Sequence, residues 1–442
     1  MRMSKKMATL ATAMMIVAAC GSGTASTTTA SQPDGGSSST IADSTSTTTP
    51  SEGSAETLQL TIGSIYPTTG DLGTYGSPLN RASQLAVDHL NELFAGDTPA
   101  ITASFAAADS ESRAEGAVAA ARKVIADGAS CVMGPLTTPE SIAVLNGATL
   151  QREMTMIPLA SAAALREADD DGTIFRIIPP DSLQGEALAI VVEEFLDGAA
   201  GHSVAFAYQN SSYGQGLLDS FGQAWEGRGG EVSLEVGYTA EQQSYESEAQ
   251  SLTAEEFDAY VFVDFPETFG KLGDALLRTA KFDPSRAFVA DALAVSPIPD
   301  AISPEVLEGA HGVRGGSASG LPQQEAFDQL VREELGEDQR GTFDTLAFDG
   351  VMVCALAAMA ANSTSPADIT AAIGTVANAP GEKVTYLNGF DVLSDGGEID
   401  YDGVAGGIEF GDNGDNIFGV YEQFQFVDGE LVVADDLIEL GQ

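Results

Sequence analysis

Lysine, histidine, cysteine and tryptophan are all scarce in this chain, with six, three, three and one copies in 442 residues. The histidines, His89, His202 and His311, stand far apart, and no His or Cys pair falls at ligand spacing, which leaves no zinc site. No G-x-S-x-G elbow occurs, so the nucleophile of a serine hydrolase is missing as well. Basic residues are few: 19 Lys and Arg face 65 Asp and Glu, a net charge of −46. A chain so acidic repels nucleic acid, whose binding relies on Lys and Arg against phosphates. Beyond residue 20 no apolar run reaches the roughly 20 residues that a membrane-spanning helix needs. Nothing calls for a cofactor.

The chain opens on Arg2, Lys5 and Lys6, followed by an apolar stretch from Met7 to Ala19 whose small residues abut Cys20. This pattern reads as a lipoprotein signal over residues 1–19, cut before Cys20 so that its thiol takes a lipid. Residues 20–57 then form a lipidated cysteine and a linker of Ser, Thr, Gly and Ala, too poor in large apolar side chains to fold. The expected location is extracytoplasmic, lipid-anchored to the cell membrane. The body beyond Leu58 exceeds the size at which one core stops growing, and two lobes are expected. Cys131 and Cys354 sit in apolar stretches and read as buried small hydrophobes. A disulfide between them stays open in an exported protein.

From Leu58 short apolar runs alternate with helical periodicity, the mark of a parallel sheet covered by helices. Strands are expected at 58–66, 101–107, 131–133, 155–158 and 174–178. Helices are expected after Pro78, with Leu79, Ala82, Ala86, Leu90 and Leu93 on one face, at 113–126, and from Thr138-Pro139-Glu140. Pro179-Pro180 reads as an interlobe crossover. A second set follows with helices at 183–195, 214–225, 244–252 and 266–279, and strands at 204–208, 231–238, 260–264 and 287–290. Residues 342–361 read as a long helix, and the tail as hairpin strands around Asp-Gly and Asn-Gly turns. Gly214-Gln215-Gly216 lacks the third glycine of a dinucleotide loop, because position 219 is Asp. The run GDNGDN at 411–416 misses the calcium-loop spacing and reads as a hairpin turn.

The segment TIGSIYPTTGDLGTYGSPLNRASQLAVDHLN at 61–91 resembles the opening of the leucine/isoleucine/valine-binding family of periplasmic binding proteins. The likeness continues through DGASCVMGPLTTPESIAVLNGA at 127–148, MIPLASAAAL at 156–165, FRIIPPDSLQG at 175–185 and NSSYGQGLLDSF at 210–221. The resemblance implies an α/β, two-lobe type I fold, each lobe a mainly parallel sheet flanked by helices, with three interlobe crossovers. The bounds it suggests are 58–179 and 313–385 for the first lobe, and 180–312 and 386–442 for the second.

It also implies a ligand held in the cleft. Open α/β sheets bind ligands beyond the carboxyl ends of their strands, which independently favours that place. Thr137 and Thr138, together with Ser161 in the Leu159-Ala160-Ser161 run, match family hydroxyls that hold a ligand carboxylate; Thr138 also reads as a helix N-cap. Asp291 matches the acid set against a ligand ammonium, with Glu267 as a weaker substitute. Tyr75 and Tyr213 resemble aromatics that cover the ligand, one from each lobe. The function implied is a monomeric solute-binding lipoprotein without enzyme activity, delivering a branched-chain or related amino acid to an ABC transporter permease. A ligand-sensing protein for amides, urea or aromatic acids, feeding a signalling partner, is the alternative.

Overall fold

The computed structural model describes residues 57–441 apart from 97–98, 241, 317–319 and 337–340. The expected signal, Cys20 and the linker up to residue 56 lie outside the described residues. The first lobe opens with β1 (Leu58–Ser64), α1 (Gly73–Leu93), β2 (Ile101–Ala107), α2 (Ala114–Ala126), β3 (Cys131–Met133), α3 (Thr138–Val144) and β4 (Met156–Ile157). The chain then crosses into α4 (Asp181–Leu196), β5 (Ser203–Gln209), α5 (Ser212–Gly227), β6 (Glu231–Tyr238), α6 (Glu246–Leu252), β7 (Ala259–Val263), α7 (Pro266–Thr279), β8 (Ala287–Val289) and β9 (His311–Gly315). It returns through α8 (Pro322–Leu335), α9 (Asp344–Ala361), α10 (Pro366–Ala377), β10 (Glu382–Val384), α11 (Gly389–Ser394), β11 (Ile399–Gly403) and β12 (Gly406–Gly407), and ends in the hairpin β13 (Phe418–Val427) and β14 (Glu430–Gly441).

Two main sheets result. The order β2-β1-β3-β4 is wholly parallel. The order β14-β13-β9-β8-β7-β5-β6 is parallel from β9 to β6 and finishes at the other edge with the antiparallel hairpin. Side chains alternate between two cores in each lobe, as a strand covered on both faces requires. Cys131 and Met133 pack with α1 and α9, while Val132 between them packs with α2. In the second lobe Phe262 and Val289 face α6 and α7, and Phe206 and Val261 face α4 and α5.

The strands and helices fall close to their expected positions, and the departures are informative. Helix α1 starts at Gly73, not after Pro78, and holds that proline inside it. Its first turn lies directly on the loop after β1: a Cβ on Gly76 would stand 1.8 Å from the Pro67 carbonyl oxygen. Leu93, expected on the apolar face, is exposed at the helix end. Residues 174–178 form no regular strand; they make single bridges from Ile174 to Met156 and from Arg176 to Asp415. Helices α8 and α10 were not anticipated, although each starts on a proline at its first position.

The expected lobe bounds also shift. Strand β9, expected to begin the return to the first lobe at 313, pairs with β8 and β13 through Gly315. Residues 386–410, expected in the second lobe, pack into the first: Tyr386, Phe390, Ile399 and Tyr401 join the core of α1 and α9. The buried Asp349 carboxylate fixes this stretch, accepting from Tyr401 Oη at 2.8 Å and from the Val404 N–H. Helix α9 is long and apolar enough to cross a membrane by length and composition, against the expectation from sequence, yet 78% of it is buried inside the lobe. Cys131 and Cys354 are joined in a disulfide across the first lobe, from β3 to α9. Both cysteines are buried as expected, and the disulfide that the sequence left open is formed.

Candidate functional site

The carboxyl ends of β1, β3 and β4 in one lobe face those of β5, β7 and β8 in the other, and a cavity of about 240 Å³ lies between them. All eight residues singled out from the sequence, Tyr75, Thr137, Thr138, Leu159, Ala160, Ser161, Tyr213 and Asp291, line this one cavity, as does Glu267. They come from six separate loops and helix starts. The early start of α1 matters here, because it carries Tyr75 on its first turn.

Thr137 and Thr138 divide the work. Thr137 is the N-cap of α3: its hydroxyl donates to Glu140 Oε2 at 2.7 Å and accepts from the Glu140 N–H, a capping box. The N-cap expected at Thr138 thus falls one residue earlier. Glu140 is further held by Ser110 Oγ at 2.6 Å. Thr138, buried beside it, makes no side-chain hydrogen bond to the described residues and keeps its hydroxyl for the cavity. Ser161 is buried on the next loop, flanked by two alanines that leave room for a ligand.

Asp291 faces them from the second lobe. Its side chain is buried, and Tyr213 Oη donates to its Oδ1 at 2.6 Å. Burial pushes its carboxyl above the usual range, opposed by the Tyr213 hydrogen bond. Tyr75 Oη donates to the Ala292 carbonyl at 2.5 Å, a bond that spans the two lobes next to Asp291. Glu267 lies exposed at the rim.

Two acids nearby make stability depend on pH. Asp181, at the start of α4, is pushed up to about 7, chiefly by burial and further by Asp291, against Ser161 and Arg176. Asp264, behind the wall at the end of β7, is pushed up to about 8 by burial, against its bonds from the Phe265 N–H and Tyr238. Both carboxyls start from 3.8, so above pH 4 the unfolded chain has released protons that the folded protein still holds. These two carboxyls therefore make folding stability fall as pH rises from about 4 to 8, against a smaller opposite contribution from His89 and His311, whose protonated forms burial disfavours. We expect the melting temperature to be several degrees lower at pH 8.5 than at pH 5.5, with a flatter slope in Asp181→Asn. A midpoint that rises over that range would contradict this account.

Several lining residues were not visible in the sequence. Phe265 packs against Tyr213 at 5.6 Å between ring centroids, and Phe343 stacks on Tyr75 at 6.4 Å. Phe343 also takes a left-handed backbone, φ 64°, at the start of α9, an unusual conformation for so bulky a residue. Gln209 and Thr268 add polar groups on the second-lobe side. Gln209, Phe265 and Thr268 sit at strand carboxyl ends but carry no residue pattern of their own, and Phe343 reaches the cavity only because the start of α9 packs against α1.

Two α/β lobes facing each other across a cleft, with hydroxyls on one side, a carboxylate on the other and aromatic side chains in its lining, define a solute-binding protein. The chain belongs to the periplasmic binding protein family, whose profile, described as Periplasmic binding protein, matches residues 59–386. Over 163 residues it is 31% identical to the Leu/Ile/Val-binding protein BraC3 of Rhizobium johnstonii, covering 37% of this chain and 42% of that one. The chain thus matches less than half the length of its curated relatives. Among solved structures it is similar to LivJ, the branched-chain amino acid transporter substrate binding protein of Streptococcus pneumoniae in complex with isoleucine. There the TM-score is 0.71 at 19% identity, covering 86% of this chain and 99% of that one. The leucine binding protein LivK of Thermotoga maritima gives a TM-score of 0.69 at 16% identity, again covering 86% and 99%. At these identities the likeness is one of fold, the type I periplasmic-binding-protein fold.

Proposed function

We propose that this protein is the extracytoplasmic solute-binding lipoprotein of an ABC importer, closing on a small amphiphilic solute that is a branched-chain or related amino acid. One observation carries this reading: Thr138 and Ser161 of the first lobe stand across one cavity from the buried Asp291 of the second. A free amino acid has a carboxylate for the hydroxyls and an ammonium for Asp291, with its side chain between the aromatic rings. Thr137, whose hydroxyl is already committed to Glu140, acts by holding Thr138 in place.

Further support comes from the names of the relatives and from LivJ, which holds isoleucine. The disulfide suits an oxidising compartment outside the cytoplasm, in agreement with a lipid anchor at Cys20. The Tyr75–Ala292 bond links the two lobes across the cleft, and a ligand held by both lobes would favour the arrangement that it binds more tightly.

The test is thermal denaturation of the mature protein with leucine, isoleucine or valine. At 100 times its dissociation constant a ligand adds about 2.7 kcal/mol, a shift of a few degrees. A shift with these amino acids supports the reading. A shift only with amides, urea or aromatic acids replaces it by the alternative of a sensor or carrier for those solutes.

A further inference from the structure

Three consecutive carbonyls around Ser161 are hung on the first crossover. Arg176 Nη1 donates to the Ala160 carbonyl at 3.3 Å and to the Ala162 carbonyl at 2.9 Å, and the Asp181 N–H donates to the Ser161 carbonyl at 3.1 Å. Arg176 is almost wholly buried, at 1% exposure. Its Nε donates to Asp415 Oδ1 at 2.5 Å, and Asp415 lies on the third crossover, in the GDNGDN turn. The two crossovers are also stitched through their backbones, by Arg176 N–H to the Gly414 carbonyl at 2.8 Å and Asn416 N–H to the Arg176 carbonyl at 3.0 Å. Asp415 accepts on its other oxygen from Arg166 Nε at 2.8 Å and from Asn413 Nδ2 at 2.8 Å.

We infer that Arg176 is a positioning residue for the ligand: it sets where Ser161 stands in the cleft and ties that position to the geometry of two crossovers. This rests on the reading of Ser161 as a ligand-holding hydroxyl. The guanidinium suits the task because its planar fork serves Asp415 with one nitrogen and the loop carbonyls with another, which a lysine ammonium on a flexible stem does not do. A buried charge with this many directed bonds also fixes one arrangement of the crossovers, since any rotation of the lobes that moves Asp415 must move Ala160 and Ala162 with it.

The test uses Arg176→Lys, which keeps the charge and loses the fork, in two measurements on the mature protein. Hydrogen exchange of the free protein should accelerate about tenfold at the Asp181 and Leu159 amides, which close on the Ser161 and Pro135 carbonyls, with β5 to β8 unchanged. Leucine affinity should fall about tenfold in the wild-type background and show no further loss in a Ser161→Ala background. Uniform acceleration across both lobes, unchanged exchange in the loop, or an equal affinity loss in both backgrounds would each overturn the inference. If the wild type does not bind leucine, the amino-acid reading fails, and the exchange measurement still decides the role of Arg176. Should Arg176→Lys not fold, Asp415→Asn takes its place, with the same pattern expected at smaller amplitude.

Discussion

Replacing Asp291 by alanine should weaken leucine binding by about 2–5 kcal/mol, or roughly 30-fold to several thousand-fold in Kd. The size follows from burial. Asp291 has 5% of its surface exposed, and a ligand ammonium closed in beside it would lose water on every side. Without the carboxylate that ammonium stays buried and unpaired, which costs far more than an exposed ion pair is worth. Tyr213, which donates to Asp291 at 2.6 Å, would lose its acceptor. Asp291→Asn keeps an acceptor for Tyr213 while removing the charge, and separates the two effects. Calorimetric titration with leucine should show nearly the same loss for both variants, and unliganded melting temperatures close to wild type for the asparagine. Full affinity in Asp291→Asn would remove the ammonium role, whatever solute is carried.

Removing the disulfide should cost a large share of the stability. Cys131 and Cys354 lie 223 residues apart in sequence, so the bond restricts a large part of the unfolded chain. Cross-links of this kind typically contribute about 2–5 kcal/mol, against a total of about 5–15 kcal/mol for a folded domain. Both sulfurs also fill the core between β3 and α9, where nothing is exposed. The Cys131→Ala/Cys354→Ala double variant should melt several degrees lower than wild type. Reductant present throughout the melt should lower the wild type toward the variant and leave the variant unchanged. An unaffected wild-type melt under those conditions would mean that the link contributes nothing to stability.

The pattern of elements was legible because strands buried on both faces read as apolar runs and their helices carry a 3.6-residue period. Strand β8 and helix α7 therefore fall where the residues place them. What misled was punctuation by proline. Pro78 suggested a helix start although its missing N–H is tolerated inside α1, while Pro322 and Pro366 do begin helices that went unseen. Thr137 and Thr138 show the same limit at one residue's resolution: either could cap α3, and the Glu140 side chain decides for Thr137.

By itself the sequence determined the fold class, the acidic surface, and the strand ends from which a cleft would be built, because periodicity and composition are local or summed properties. Tertiary structure alone decided the rest. Cys131 and Cys354 are bonded because β3 and α9 pack together, and Phe343 faces Tyr75 because the start of α9 meets the start of α1. Asp415, in a run read only as a turn, becomes the counterion of Arg176 because two crossovers 239 residues apart lie side by side. Each of these depends on where distant segments meet, and spacing along the chain carries no record of that.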